Sequence, residues 1–182
     1  MIVPTVENSV LAVVDLQQKL MPVISGGENI INRTALLLQG ADKLGLDVLV
    51  SEQYPKGLGS TIPEVSTWLP EKSAVVAKTS FSVFGEPEFV KALNARKHEV
   101  IIFAGVESHI CLLQSVIDAV AAGYQVIVAA DAVGSRKESD KALALETARH
   151  CGAEVLSVES ILFMLLRNAG HPAFRDISKL VK

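Results

Sequence analysis

The chain predicts a doubly wound α/β domain, a parallel sheet with helices on both faces. Three observations carry this. Short apolar runs of strand length alternate with longer stretches of helical period along the whole sequence. The runs are apolar throughout, as strands covered on both faces require. Glycine and proline punctuate them correctly: Gly45 and Gly123 fall where helices should stop, and Pro87 suits a first helical turn.

The elements follow in order. A strand over Val10 to Val14 leads into Asp15, and a helical pattern runs from Glu28 to Leu44. A second strand spans Asp47 to Ser51. The connection from Glu52 to Ser73 then breaks the rhythm with Pro55, Gly57, Gly59, Pro63 and Pro70. Structureless connections of about twenty residues are uncommon in compact domains and are often functional. Tyr54, Leu58, Ile62 and Trp68 give this one anchors, so it is expected to be an ordered loop over the active end. Strands over Ala74 to Lys78, Val100 to Gly105, Gln125 to Ala130 and Glu154 to Val158 complete a set of six. Helices are expected over Pro87 to Ala95, His109 to Ala122, Glu138 to Cys151 and Ser160 to Asn168, with a short one near Pro172 to Leu180. Crossovers in such a sheet are right-handed. A chain of 182 residues buries one sizeable core and is short for two, so 1–182 reads as a single domain.

Composition narrows the function. A net charge of -3, with 17 Lys and Arg scattered along the chain, leaves no basic footprint, and nucleic acid is not an expected partner. The first residues have no basic leader, and no apolar run approaches the roughly 20 residues of a membrane span. A soluble cytoplasmic protein without a membrane partner is expected. Cys111 and Cys151 are too few for a disulfide framework and read as reduced thiols. His98, His109, His150 and His171 offer no metal-ligand spacing. Neither G-x-G-x-x-G nor a P-loop occurs, and Gly57-Leu58-Gly59 is not followed by a helical pattern, so no metal or cofactor is expected.

The chemistry concentrates at strand ends. Cys111 closes the run Ile101-Ile102-Phe103-Ala104-Gly105-Val106-Glu107-Ser108-His109-Ile110-Cys111 and opens a helical pattern. A thiol at a helix N-terminus is expected to favour thiolate, and the Ile110 and Cys111 amides there could hold an oxyanion. Asp15 ends the first strand and Lys78 the third. In doubly wound sheets ligands bind beyond the carboxyl ends of the strands, where the strand order reverses. If the first and fourth strands flank that point, carboxylate, ammonium and thiol meet there. Each residue alone has an ordinary explanation, as a buried small hydrophobe, a turn residue or a solvated lysine. Their convergence at three strand ends points to a site. His109, two positions from Cys111 on a helix, points elsewhere and reads as a first-turn residue or pocket lining. Cys151 reads as structural, and the remaining histidines as surface or capping residues.

These residues resemble the isochorismatase-like cysteine hydrolases. The resemblance covers nearly the whole chain and is carried by Val14-Asp15-Leu16-Gln17, Lys78-Thr79-Ser80-Phe81-Ser82 and Gly105-Val106-Glu107-Ser108-His109-Ile110-Cys111. It implies a three-layer α/β/α sandwich with a parallel sheet of about six strands, and a catalytic set of Asp15, Lys78 and Cys111. It also implies a non-proline cis peptide at Val106-Glu107. The segment Ser51-Glu52-Gln53-Tyr54-Pro55-Lys56-Gly57-Leu58-Gly59 looks like the isochorismatase domain-containing subgroup, whose substrates are mostly unassigned. Nicotinamidases of the family bind a metal through an aspartate and histidines after the second strand, whereas this chain has no histidine before His98. Members that cleave a vinyl ether have no need of a nucleophilic cysteine, so Cys111 favours covalent hydrolysis; a small amide-type substrate is expected, with nitrile and ester as alternatives. On this reading Gln17 and Gln53 fix the substrate or Asp15, while Leu16, Tyr54, Phe81 and His109 line the pocket.

Two further expectations concern partners. Ile161-Leu162-Phe163-Met164-Leu165-Leu166 is apolar all the way round, which fits a well-buried terminal helix or a surface for self-association equally; the family resemblance implies a homo-oligomer. A catalytically silent binding or scaffold member, or a thiol sensor, would share the same pocket and is the competing reading.

Overall fold

Six apolar runs pair side by side because each has a neighbour to satisfy its backbone on both sides, except at the two edges. The structure, a computed structural model, describes residues 3–95 and 98–182; Met1, Ile2, Arg96 and Lys97 lie outside the described residues. The strands are β1 (Ser9–Val14), β2 (Asp47–Gln53), β3 (Ala74–Lys78), β4 (Val100–Val106), β5 (Gln125–Gly134) and β6 (Glu154–Leu156). They form one parallel sheet in the order β3-β2-β1-β4-β5-β6. The order reverses between β1 and β4, where the sequence placed the site.

Helices cover both faces. On one lie α1 (Gly27–Leu44), α7 (Val158–Leu166) and α8 (Phe174–Leu180), packed on Leu11, Val13, Val50 and Ile102. On the other lie α4 (Pro87–Asn94), α5 (Leu113–Ala121) and α6 (Glu138–His150), packed on Val10, Ala12, Ile101 and Phe103. The alternation along β1 therefore divides two cores, giving the three-layer sandwich. Among the described residues no helix is long and apolar enough to cross a membrane.

Several expectations are corrected. The third strand is not covered on both faces: β3 is an edge, and its residues alternate between half-buried and exposed, with Val75 open to solvent. Strand β6 stops at Leu156, because the Ser157 side chain accepts from Ser160 N and starts α7 early. The segment after β2 holds two one-turn helices, α2 (Pro55–Leu58) and α3 (Pro63–Ser66), each opened by proline and too short to show a period. Of its expected anchors, Tyr54 and Trp68 are exposed, Leu58 is half-buried, and Ile62 is buried in the core with Val65. Polar groups hold it as well: Glu52 Oε1 accepts from Thr61 N at 2.7 Å and Thr61 Oγ1 at 2.8 Å, and Gln17 bridges to Thr61. Only its first half lies at the carboxyl end of the sheet. Pro70 to Ser73 line a cavity with Gly45 and Asp47, at the opposite end. The apolar helix α7 buries Ile161, Leu162, Leu165 and Leu166 within the chain and leaves Phe163 partly exposed, edge-on to Phe174.

A displacement in β5 shapes the site. Phe103 faces Val128, but two residues on Gly105 faces Val133, so β5 bulges between them. Asp131 of the bulge accepts from Arg33 Nε of α1 at 2.7 Å and from Val158 N of α7 at 2.8 Å. The bulge brings Gly134 level with Val106 at the end of β4.

Gly105 permits the close approach of β1 and β4. With φ at 117°, it would place a side-chain Cβ 2.0 Å from Val14 O. Gly105→Ala is therefore expected to cost more than about 3 kcal/mol in denaturant unfolding. Gly123→Ala, at φ 91° with open space around it, should cost about 1–2 kcal/mol. Equal losses for the two would show that the β1–β4 contact is not the constraint.

Candidate active site

Asp15 sits one residue beyond β1. Its N–H continues the ladder to Ser51 O at 3.1 Å, and its own carbonyl accepts from Gln17 N at 2.8 Å. The tight turn puts Asp15 in the left-handed region, φ 54°, which aspartate tolerates better than most side chains. Its carboxylate accepts from Ser51 Oγ at 2.7 Å through Oδ1 and from Lys78 Nζ at 2.8 Å through Oδ2. Both members of this ion pair are shut off from solvent.

Lys78 arrives from β3, two strands away, across β2. Its ammonium also donates to Gln53 Oε1 at 2.5 Å, Phe81 O at 3.0 Å and Ser80 O at 3.2 Å. Gln53 is itself fixed, donating from Nε2 to Thr79 O at 2.8 Å. Burial of a charged pair is tolerated only where the remaining hydrogen-bonding capacity is filled, as it is here.

Cys111 lies over this pair, 4.0 Å from Gln53 Oε1 and almost fully buried. It belongs to a π-helical turn, Ser108–Leu112, that precedes α5. The expected thiolate is not what this environment favours. Burial first, then the Asp15 charge, push the thiol up to about 12, and Lys78 opposes them only in part. Ser115 Oγ donates to Cys111 O at 2.6 Å and accepts from Val83 N at 3.0 Å, tying the turn to the segment after β3.

The turn before Cys111 contains a cis peptide between Val106 and Glu107. Three side chains clasp it to the turn after β5. Glu107 Oε2 accepts from Arg136 N at 3.2 Å and Nε at 2.9 Å. Ser108 Oγ donates to Gly134 O at 2.9 Å, and His109 Nδ1 lies 3.0 Å from Ser135 Oγ. The Ile110 N–H, expected to help hold an oxyanion, donates to Glu107 O at 3.1 Å.

The fold thus brings Asp15, Lys78, Cys111 and Gln53 together, while other expected site residues have different work. Leu16 is fully buried in the core rather than a pocket wall. Gln17 uses its amide as a clamp, donating to Gly59 O at 2.6 Å and Gln53 O at 3.0 Å and accepting from Gln53 N at 2.7 Å. Tyr54 is exposed with its ring over Gly57. Phe81 is also exposed, and its carbonyl, not its ring, serves Lys78. His109 faces Ser135 and, at 3.9 Å, Asp140. His98 is no surface residue: its side chain is buried between Leu93 O and Asp47. Cys151 is half-buried and free. Sequence reasoning missed Ser51, Ser115 and Arg136; the only signal for the first two was a lone hydroxyl at the end or on the inner face of an apolar run. Among the described residues no group of three His, Cys, Asp or Glu could hold a metal ion.

Comparison with known proteins agrees with the fold. The family model of the isochorismatase domain matches residues 9–160. Isochorismatase domain-containing protein 2A of Mus musculus is 36% identical over 177 residues, covering 97% of this chain and 84% of that protein. Isochorismatase domain-containing protein 1 of Danio rerio is 39% identical over 176 residues, 96% of this chain but 61% of that protein, so the chain spans less than two thirds of that relative. The structure of MAR1 ribonuclease from Caenorhabditis elegans superposes with a TM-score of 0.93 at 34% identity, covering 98% of this chain and 91% of that one. Sequence and fold agree over nearly the full length, and this chain belongs to the isochorismatase domain family.

Proposed function

We propose that the chain is a cysteine hydrolase that cleaves the C–N bond of a small amide through a covalent intermediate on Cys111. The observation that carries this reading is a buried thiol, 4.0 Å from Gln53 Oε1, beside a carboxylate that Ser51 and Lys78 hold in place. A thiol kept protonated needs a base at the moment of attack, and Asp15 is that base. The thiol proton passes to Asp15 as Sγ bonds to the carbonyl carbon, and the oxyanion is met by the Cys111 N–H. Asp15 returns the proton to the nitrogen as the C–N bond breaks, leaving a thioester. Water then attacks the thioester carbon, giving its proton to Asp15. Cleavage of the C–S bond releases the acid and restores the thiol. Lys78 holds the carboxylate in position and balances its charge throughout.

Two other readings are weaker on physical grounds. A thiol sensor needs an accessible thiolate, whereas Cys111 is buried and held as the thiol. Phosphodiester cleavage, suggested by the name of the worm protein, calls for cations free to meet phosphate, and the Lys78 ammonium is already engaged. Two free cysteines suit a reducing compartment such as the cytoplasm. Self-association, on this reading, would use exposed apolar residues such as Ile117 of α5 and Leu143 of α6; a monomer in sedimentation at micromolar concentration removes it.

Two measurements test the mechanism. On a carboxamide that the wild type hydrolyses, Cys111→Ala and Asp15→Asn are each expected to lose at least about a thousandfold in turnover with unchanged circular dichroism. Substantial turnover by Cys111→Ala would end the covalent mechanism. In a Cys151→Ser background, ultraviolet thiolate absorbance should rise only as pH climbs toward 12. Asp15→Asn removes a charge that disfavours the thiolate and should move the rise to lower pH. A wild-type midpoint at or below the ordinary 9.0 would show that Asp15 and burial do not control the thiol.

A further inference from the structure

We infer that Ser115 is a positioning residue for the reaction: its hydroxyl holds the turn that carries Cys111 against the segment that carries acceptors of Lys78, and so sets where the sulfur stands relative to Asp15. The inference rests on Cys111 being the attacking group. Thiol and base come from different elements, Asp15 and Lys78 from the ends of β1 and β3 and Cys111 from the turn after β4. Their spacing therefore depends on contacts that cross between those elements. Ser115, one helical turn after Cys111, makes such a contact with a single oxygen: Oγ donates to Cys111 O at 2.6 Å and accepts from Val83 N at 3.0 Å. A hydroxyl has one proton to give and lone pairs to accept with, so one atom serves both segments.

A serine that bonds back to the carbonyl four residues earlier is common in helices and says little by itself. What sets Ser115 apart is the second bond, to a segment tied to the ion pair. Val83 lies two residues past Phe81, whose carbonyl accepts from Lys78 Nζ at 3.0 Å. Ser80 Oγ donates to Ser82 O at 2.9 Å and Ser82 Oγ accepts from Phe84 N at 3.2 Å, which fixes the short connection between them. Ser115 and Val83 are both shut off from solvent, so Ser115→Ala would leave the buried Val83 N–H without its acceptor. The Cys111 turn would then lose its tie to the Lys78 side. A displacement of about 1 Å in a reacting group can cost about a hundredfold in rate. Ser115 itself, being buried, meets no substrate, so the loss falls on the chemical step and not on binding.

The test uses a carboxamide that the wild type hydrolyses, with Ser115→Ala, Ser115→Thr and Ala119→Gly made in the whole chain. Ala119 is buried one turn further along α5 and makes neither bond. In Ser115→Ala, kcat is expected to fall at least about tenfold while KM changes less than about twofold, and the Val83 amide should exchange faster by NMR. Ser115→Thr keeps the oxygen and should restore both. Ala119→Gly should lower the unfolding midpoint and keep the kcat of the folded enzyme. Across the wild type and the two Ser115 variants, kcat should follow Val83 protection; a variant that separates the two overturns the inference. Full kcat in Ser115→Ala, or an equal loss in Ala119→Gly, overturns it as well. Each of those outcomes leaves Cys111 as the nucleophile. Turnover by Cys111→Ala at the wild-type rate instead removes the nucleophile reading, and this inference with it.

Discussion

The ion pair between Asp15 and Lys78 is the constraint around which the active end is arranged. Both charges are removed from water, and a buried charge that loses its partner costs about 3–5 kcal/mol. Satisfying the pair recruits five other groups: the Ser51 hydroxyl, the Gln53 amide oxygen and the carbonyls of Ser80 and Phe81 directly, and Thr79 O through Gln53. These come from β2 and from the turn after β3. The parallel register that pairs Val14 with Ser51 and Gln53 with Lys78 is what lets one ammonium reach all of them.

The thiol is positioned from the other side of the switch point. Gly105 lets β4 lie against Val14, and the bulge in β5 carries Gly134, Ser135 and Arg136 to the level of the β4 turn. Glu107, Ser108 and His109 then lock the two turns together. This clasp gives His109 and Arg136 structural partners in place of a ligand. Burial and the adjacent carboxylate raise the Cys111 thiol above its ordinary range, the reverse of what a free helix N-terminus confers.

Much of this was legible in the chain because the relevant signals are local. The unbroken apolar runs around Val10–Val14 and Val100–Gly105 are readable as buried parallel strands without knowing their partners. Asp15, Lys78 and Cys111 are conspicuous because each ends such a run. Leu16 and Gln17 show where local reading fails. Both adjoin Asp15 in sequence, yet Leu16 turns into the core and Gln17 clamps the segment after β2. The exposed face of β3 was illegible, and the burial of α7 only one of two readings, for a related reason: composition does not say which strand lies at an edge or which helix packs on α1.

The sequence by itself determined the order and type of the main elements, the parallel sheet, and the three residues whose chemistry meets at one end, since periodicity and strand-end placement are properties of short stretches. Only the tertiary structure decided the burial of Cys111 beside Asp15, the saturation of Lys78 and the roles of Gln53, Ser51 and Arg136. Those depend on desolvation and, apart from Ser80 and Phe81 on Lys78, on hydrogen-bond partners tens of residues apart, and such interactions act over so short a range that a pattern along the chain carries no trace of them.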